Sequence, residues 1–418
     1  MVTGLIDTLV TLEPKTKVAQ LALFGGAPAF AEALHVGRPN VPQGQARAHL
    51  LDDIADIFDR QWLTNHGPVV REFERQLACL TETRHAIAVC NATQGLQVAA
   101  HACGLTGEVI VPAFTFIATA HALSWIGLTP VFADVDAATH TLDPAQIERL
   151  ITPRTSAILA THLWGTPCQT DALADLARRH RLQVLYDAAH AFGCSHQGRM
   201  LGSFGRAEVF SFHATKFVNA AEGGAITTDD DELAARMRRM VSFGFEDYDR
   251  VADLGTNAKM NELSAALGLT SLARTEELIA INRANYRAYR AGLAGLAGVR
   301  LLPYAEAEQR NYQYVVLEIA GAALTRDELL EILWAEGVKA RRYFFPGCHR
   351  MEPYRSRRAG ARSKRTLPVT ERLANSVLVL PTGAAVSATD IARLCQLLEF
   401  VLTQADEVKW KLATVSRT

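Results

Sequence analysis

The stretch Ala86-Ile87-Ala88-Val89-Cys90-Asn91-Ala92-Thr93-Gln94-Gly95 decides the architecture. Its first five residues are apolar and end at a polar turn, as in a strand buried on both faces. The turn Asn91-Ala92-Thr93-Gln94-Gly95 leads into Leu96-Gln97-Val98-Ala99-Ala100, which reads as the start of a helix. The pattern repeats outward. Glu108-Val109-Ile110-Val111-Pro112 reads as a strand stopped by proline, and further strands are expected at 130–135, 156–162 and 183–186, with helical stretches such as 170–179 between them. Alternating β and α units imply a largely parallel sheet covered on both faces. Chemistry in such sheets sits beyond the carboxyl ends of the strands. Asn91-Ala92-Thr93, the run 112–116, His162 and Asp187 all fall there.

Length and composition set the frame for this sheet. A chain of 418 residues exceeds one compact core. We expect an N-terminal arm (1–45), a large domain (46–297) and a small C-terminal α/β domain (298–418). Residues 262–296 read as one long helical region, bent near Asn282, leading out of the large domain. The C-terminal part carries a strand-like run at 313–319, helices at 326–336 and 389–403, and a basic loop at 355–365. Hydrophobic residues make up 49% and the formal net charge is −1, so nothing draws the chain globally to nucleic acid or to an anionic membrane. Seven dispersed cysteines without a CxxC pair fit reduced thiols, and no signal peptide is evident, so a cytoplasmic location is expected. No apolar run approaches the ~20 residues of a membrane span. The histidines lack metal-ligand spacing, so no metal is expected, and no GxSxG elbow points to a serine hydrolase.

Lys216 is the only formal charge between Val209 and Ala221. Such surroundings desolvate an ammonium and lower its pKa, and a neutral amine is the form that attacks an aldehyde. Asp187 follows the apolar run Val184-Leu185-Tyr186. A lysine that holds an aldehyde and an acid that keeps a ring nitrogen protonated form the minimal pair for pyridoxal 5'-phosphate (PLP). The turn at Asn91–Gly95 offers helix-start amides and the Thr93 hydroxyl to a phosphate, although an ordinary helix cap has the same sequence. Phe116 could stack on a planar ring or simply fill the core. His190, three residues after Asp187, could reach the same ring or be a satisfied core histidine. The Ser211 hydroxyl could bind phosphate, and Gly223-Gly224 lets backbone pass close to a bound group.

Taken together, Trp62-Leu63-Thr64-Asn65-His66-Gly67-Pro68, Pro112-Ala113-Phe114-Thr115-Phe116, Tyr186-Asp187-Ala188-Ala189-His190-Ala191, the Lys216 segment with Glu222-Gly223-Gly224, and Gly255-Thr256-Asn257-Ala258-Lys259-Met260-Asn261-Glu262 resemble the DegT/DnrJ/EryC1/StrS family of PLP-dependent nucleotide-sugar aminotransferases. The resemblance runs from about Gly37 to Gly383. It implies PLP fold-type I, the aspartate aminotransferase-like fold, and a homodimer. It makes Lys216 the lysine bonded to the cofactor and Asp187 the partner of the ring nitrogen. Phe116 would cover the ring, and Thr93, the Gln94 backbone and Ser211 would bind the phosphate. Asn257 would reach the neighbouring subunit's cofactor. His190 stands where many members have glutamine, Ala92 replaces a usual glycine, and Lys259 stands where many have arginine.

Residues 212–219 and 341–349 are similar to a subgroup that aminates carbon 4 of dTDP-4-keto-6-deoxy-D-glucose, with L-glutamate as donor. Arg38, Arg341, Arg342 and His349 are candidates for binding the donor carboxylates and the sugar diphosphate. The alternatives are amination at carbon 3, of another stereoisomer or of a cyclitol ketone, a different PLP reaction such as a lyase or desulfurase, and a non-catalytic PLP-binding regulator.

Overall fold

The computed structural model describes residues 14–357 and 366–415. The arm contributes β1 (Leu34–His35). The main sheet takes β2 (His85–Val89), β3 (Glu108–Pro112), β4 (Thr129–Ala133), β5 (Thr155–Thr161) and β6 (Gln183–Asp187). A short hairpin of β7 (Ser195–His196) and β8 (Arg199–Met200) precedes two further sheet strands, β9 (Ala207–Ser211) and β10 (Gly224–Thr228). The seven strands run in the order β2-β10-β9-β6-β5-β3-β4. All neighbours are parallel except β10, which is antiparallel to both β2 and β9. The fold is therefore α/β with a mainly parallel mixed sheet.

Side chains alternate across this sheet as the strand period requires. Ile87, Val89, Leu159, Leu185 and Val209 pack on one face with the helices Ala92–Ala102 and Asp231–Val241. Ala88, Phe210 and Ala225 pack on the other face with Phe73 and Leu77 of the helix Pro68–Leu80, while Ile158 and Tyr186 meet Leu173 and Leu176. β3 and β10 are buried along their whole length.

The expected long helix is two helices, Glu262–Leu272 and Thr275–Gly292, and the break is not near Asn282. It falls at Arg274, whose φ of −105° and ψ of 11° leave the helical region. The Thr275 hydroxyl closes on the Leu272 carbonyl at 2.7 Å, and Glu276 and Glu277 start the second helix where its dipole favours acids. Asn282 lies inside that helix and donates to the Asn311 carbonyl at 3.0 Å. Two of the motif segments meet at the first helix. The Glu262 carboxylate accepts the Val69 and Val70 amides at 2.9 and 3.0 Å, capping the helix Pro68–Leu80. A Cβ on Gly67 would stand 2.6 Å from that carboxylate.

The C-terminal part builds an antiparallel sheet of β11 (Val299–Leu301), β12 (Val315–Ile319) and, later in the chain, β14 (Val377–Leu380), after the short β13 (Val338–Lys339). The helices Arg326–Ala335 and Ala388–Thr403 cover it. From the arm, Val18, Leu21, Phe30 and Leu34 join this core, and β1 pairs with β13. The arm then reaches the lysine loop, where Asn40 Nδ2 donates to the Phe217 carbonyl at 2.8 Å and Asn219 Nδ2 donates to the Asn40 carbonyl at 3.0 Å. Of the expected basic loop, Arg355 to Arg357 lie in a short helix (Tyr354–Arg357), and 358–365 lie outside the described residues, as do residues 1–13 of the expected arm.

Candidate active site

Gly224 organises the phosphate side. It pairs with Val89 on one flank and Ser211 on the other. A Cβ there would stand 2.7 Å from the Ala92 nitrogen and 2.8 Å from the Phe210 carbonyl oxygen. The glycine pair was expected to make room for a bound group, but at Gly224 the group it admits is the Asn91-Ala92 turn itself. Asn91 caps the helix Ala92–Ala102, its Oδ1 accepting the Gln94 amide at 2.9 Å. The Gln94 amide thus has a partner in its own cap. The Ala92 and Thr93 amides occupy the first turn, where the helix supplies no carbonyl, and they point the positive end of the dipole outward. Ser211 ends β9 and pairs with Gly224, the residue against which the Asn91-Ala92 turn sits.

Asp187 ends β6, between Thr161 of β5 and Val209 of β9. Its Oδ2 accepts the Thr119 hydroxyl at 2.7 Å and its Oδ1 the Ala189 amide at 3.1 Å. Burial pushes its carboxyl up, and these two hydrogen bonds and the charge of Lys216 oppose that rise. Lys216 lies deep in the protein. Burial lowers its pKa to about 8, and the attraction of Asp187 opposes the shift. Its Nζ contacts the Tyr314 hydroxyl at 3.2 Å. His190 stacks on Trp164 (ring centroids 5.6 Å apart) and leans on Tyr314 (4.4 Å). Burial and the nearby Lys216 keep the imidazole neutral, with its pKa well below the usual value. Its Nδ1 accepts the Trp164 amide at 3.4 Å, which leaves the hydrogen on Nε2. Trp164 has a φ of 60°, and its indole N–H is tied to His140 Nδ1 at 3.2 Å.

The chamber at Lys216 is lined by Gly37, Arg38 and Asn40 from the arm and by Gln313, Tyr314 and Tyr343 from the C-terminal part, among others. The structure thus brings Lys216, Asp187, His190 and Arg38 together. Phe116 follows β3 and is 57% exposed, so a ring face is free. The other candidates are not among the chamber's lining residues, although Arg341 touches one of them. Arg341 lays its guanidinium over Tyr343, while Arg342 pairs with Asp327 at 3.2 Å and covers Phe345. His349 is buried, 3.4 Å from the Glu371 carboxylate. Asn257 is exposed and bridges to Ser242 on a segment outside β2. Sequence reading missed Tyr314, Thr119 and Trp164. The run Asn311-Tyr312-Gln313-Tyr314 before the apolar strand was the available signal for the first.

These residues fit PLP. They supply a buried amine able to lose its proton, a buried carboxylate, helix-start amides with two hydroxyls, and an uncovered aromatic ring. Among the described residues, no group of three His, Cys, Asp or Glu side chains is placed to hold a metal ion, and no helix is long and apolar enough to cross a membrane.

The sequence profile of the DegT/DnrJ/EryC1/StrS aminotransferase family matches residues 45–399. The chain belongs to that family. This aminotransferase is 37% identical over 357 residues to the GDP-perosamine synthase of Caulobacter vibrioides, covering 84% of this chain and 95% of that protein. It is 33% identical over 378 residues to the dTDP-4-amino-4,6-dideoxy-D-glucose transaminase of Escherichia coli, covering 88% and 98%. Among solved structures it resembles DesI, crystallised in the presence of its TDP-sugar product, with a TM-score of 0.90 and 51% identity over 95% of this chain and 100% of that one. The expected fold-type I architecture is the fold of this aminotransferase.

Proposed function

We propose that this aminotransferase holds PLP on Lys216 and moves the amino group of L-glutamate to carbon 4 of dTDP-4-keto-6-deoxy-D-glucose, giving dTDP-4-amino-4,6-dideoxy-D-glucose. The observation that carries the reading is the buried Lys216 amine, with a pKa near 8, under the influence of the buried Asp187 carboxylate. The likeness to a protein crystallised with a TDP-sugar product supports the acceptor.

When bound, PLP supplies an electron sink that lets the amino-bearing carbon lose a proton. Lys216 is the base that takes this proton and the acid that returns it. Asp187 holds the proton on the ring nitrogen, since an anion beside it keeps the ring cationic. The Ala92 and Thr93 amides with the Thr93 and Ser211 hydroxyls hold the phosphate. Phe116 covers the ring face, and neutral His190 offers its Nε2–H to the ring oxygen. Arg38, half-exposed in the chamber and paired with the exposed Glu32, supplies a cation for the donor carboxylates.

The reading includes a homodimer in which Asn257 reaches the neighbouring site. The exposed apolar residues Trp62, Leu63, Phe243, Tyr248 and Leu254 support it, because apolar and aromatic side chains left in solvent suit an interface.

Incubation with glutamate and dTDP-4-keto-6-deoxy-D-glucose, followed by mass spectrometry and NMR of the sugar, tests the reading. Formation of 2-oxoglutarate with an axial or equatorial 4-amino sugar identifies product and stereochemistry. Borohydride reduction that leaves no pyridoxyl group on Lys216 overturns the cofactor assignment. A GDP-linked keto sugar is the second acceptor to test, favoured by the 37% identity to a GDP-perosamine synthase.

A further inference from the structure

The Lys216 amine meets a hydroxyl from outside its own sheet. Tyr314 stands immediately before β12, in the C-terminal antiparallel unit, and its hydroxyl oxygen is 3.2 Å from Nζ. Its ring packs against both Trp164 and His190, with centroids 5.2 and 4.4 Å away. Its backbone carbonyl accepts the Tyr304 hydroxyl at 2.8 Å. The phenol is therefore fixed in place. Burial also keeps it protonated, its pKa well above the usual phenol value. A protonated phenol accepts a hydrogen bond from an ammonium and donates one to a neutral amine. Tyr314 can thus partner Lys216 in either charge state.

We propose that Tyr314 is the positioning residue of Lys216: its hydroxyl receives the amine whenever that amine is not bonded to the cofactor, and holds it in place to accept and return the substrate proton. The proposal rests on Lys216 being the cofactor lysine. It ties the base on the main sheet to a group on the C-terminal unit, so the two parts stay docked through turnover. The other ionisable groups facing the amine are Asp187 and His190 beyond β6, Tyr343 and Arg38. Asp187 alone among them is an acid. A hydrogen bond to an ammonium is roughly twice as strong as one to a neutral amine. The hydroxyl therefore favours the charged form, and removing it lowers the lysine's titration midpoint.

Tyr314→Phe keeps the ring against Trp164 and His190 and removes only the hydroxyl. Three readouts are compared with the unsubstituted protein. Competitive labelling of Lys216 by acetic anhydride in the cofactor-free chain, followed by peptide mass spectrometry across pH, gives the midpoint. Steady-state kinetics of the holoenzyme give kcat and KM, and thermal melting reports the fold. The midpoint should fall by about one pH unit. The kcat should fall about tenfold or more, with KM and Tm nearly unchanged. An unchanged midpoint or an unchanged kcat overturns the proposal alone. Absence of a borohydride-stable adduct on Lys216 in the unsubstituted protein overturns the cofactor reading, and this proposal with it.

Discussion

Thr119 donates its hydroxyl hydrogen to Asp187 Oδ2 at 2.7 Å. Having one hydrogen, it can only accept from Thr115, 3.0 Å away, and Thr115 in turn accepts from Thr161 at 3.2 Å. Three hydroxyls thus point their dipoles one way, toward a buried carboxylate. Burial alone would drive Asp187 toward its neutral form, and this chain opposes that. A neutral acid could not keep a ring nitrogen protonated, so under the proposed function the threonines would serve the cofactor through Asp187.

Thr119→Val keeps the shape and removes the donor. Hydrogen bonds to charged groups contribute about 1.5–3 kcal/mol, so the variant should lose stability of that order at neutral pH. Asp187 depends on this bond to stay charged in the folded state, so the loss should shrink in acid as the carboxylate is protonated. The kcat should fall about tenfold. Urea denaturation at two pH values, with steady-state kinetics, checks both; a stable and fully active variant would remove Thr119 from the site.

Asp187→Asn removes the charge that raises the Lys216 pKa. The midpoint of Lys216 should therefore move below 8. Turnover should fall about a hundredfold or more, because nothing then holds the ring nitrogen's proton. Measuring kcat together with the absorbance of the bound cofactor against pH separates the two effects.

The Lys216 pKa of about 8, against its ordinary 10.5, sets the pH dependence of cofactor capture. Below pH 8 the ammonium dominates, and each unit of acid cuts the reactive amine about tenfold. The rate at which the cofactor-free chain captures PLP should climb to pH 8 and then level off, apart from ionisation of PLP itself. A lysine with an ordinary pKa would keep climbing to 10.5. Stopped-flow absorbance follows the reaction directly. The same shift enters stability with a definite sign. The unfolded chain binds the proton up to pH 10.5 and the folded chain only up to 8, so this group's destabilising effect is full below 8 and fades as pH rises toward 10.5.

The sequence made the strand-end chemistry legible because each of those residues sits next to the strand that positions it. Asp187 follows its own apolar run, and Asn91 caps the helix it introduces. Tyr314 is different. It reaches Lys216 from 98 residues further along, through the packing of the C-terminal sheet, and no local pattern encodes that contact. Thr119 likewise lies 68 residues before Asp187. The helix break at Arg274 escaped because it needs neither glycine nor proline, only a threonine hydroxyl that takes the Leu272 carbonyl. Gly67 and Glu262 lie in segments that mark the family, yet their contact caps a helix.

Gly224 and its neighbour Gly223 separate a structural glycine from a cradle glycine. At Gly224 every close atom is backbone: Ala92 N at 2.7 Å, Phe210 O at 2.8 Å and Asn91 C at 2.9 Å. None can swing aside, so Gly224→Ala must push β10 away from the turn that opens the helix Ala92–Ala102. Overpacking of this kind costs about 1–3 kcal/mol. It also moves the turn that carries the Ala92 amide away from Ser211, the partner of Gly224 on β9. At Gly223 the nearest atom is the tip of Met260, at 2.7 Å, which can rotate away, with the Ala220 methyl next at 3.0 Å. Gly224→Ala should therefore weaken PLP binding about tenfold or more, and Gly223→Ala far less, even where the two melt at similar temperatures. Titrating each cofactor-free variant with PLP by absorbance gives the two Kd values. Equal values would mean that the phosphate is held elsewhere than at the Asn91–Thr93 turn.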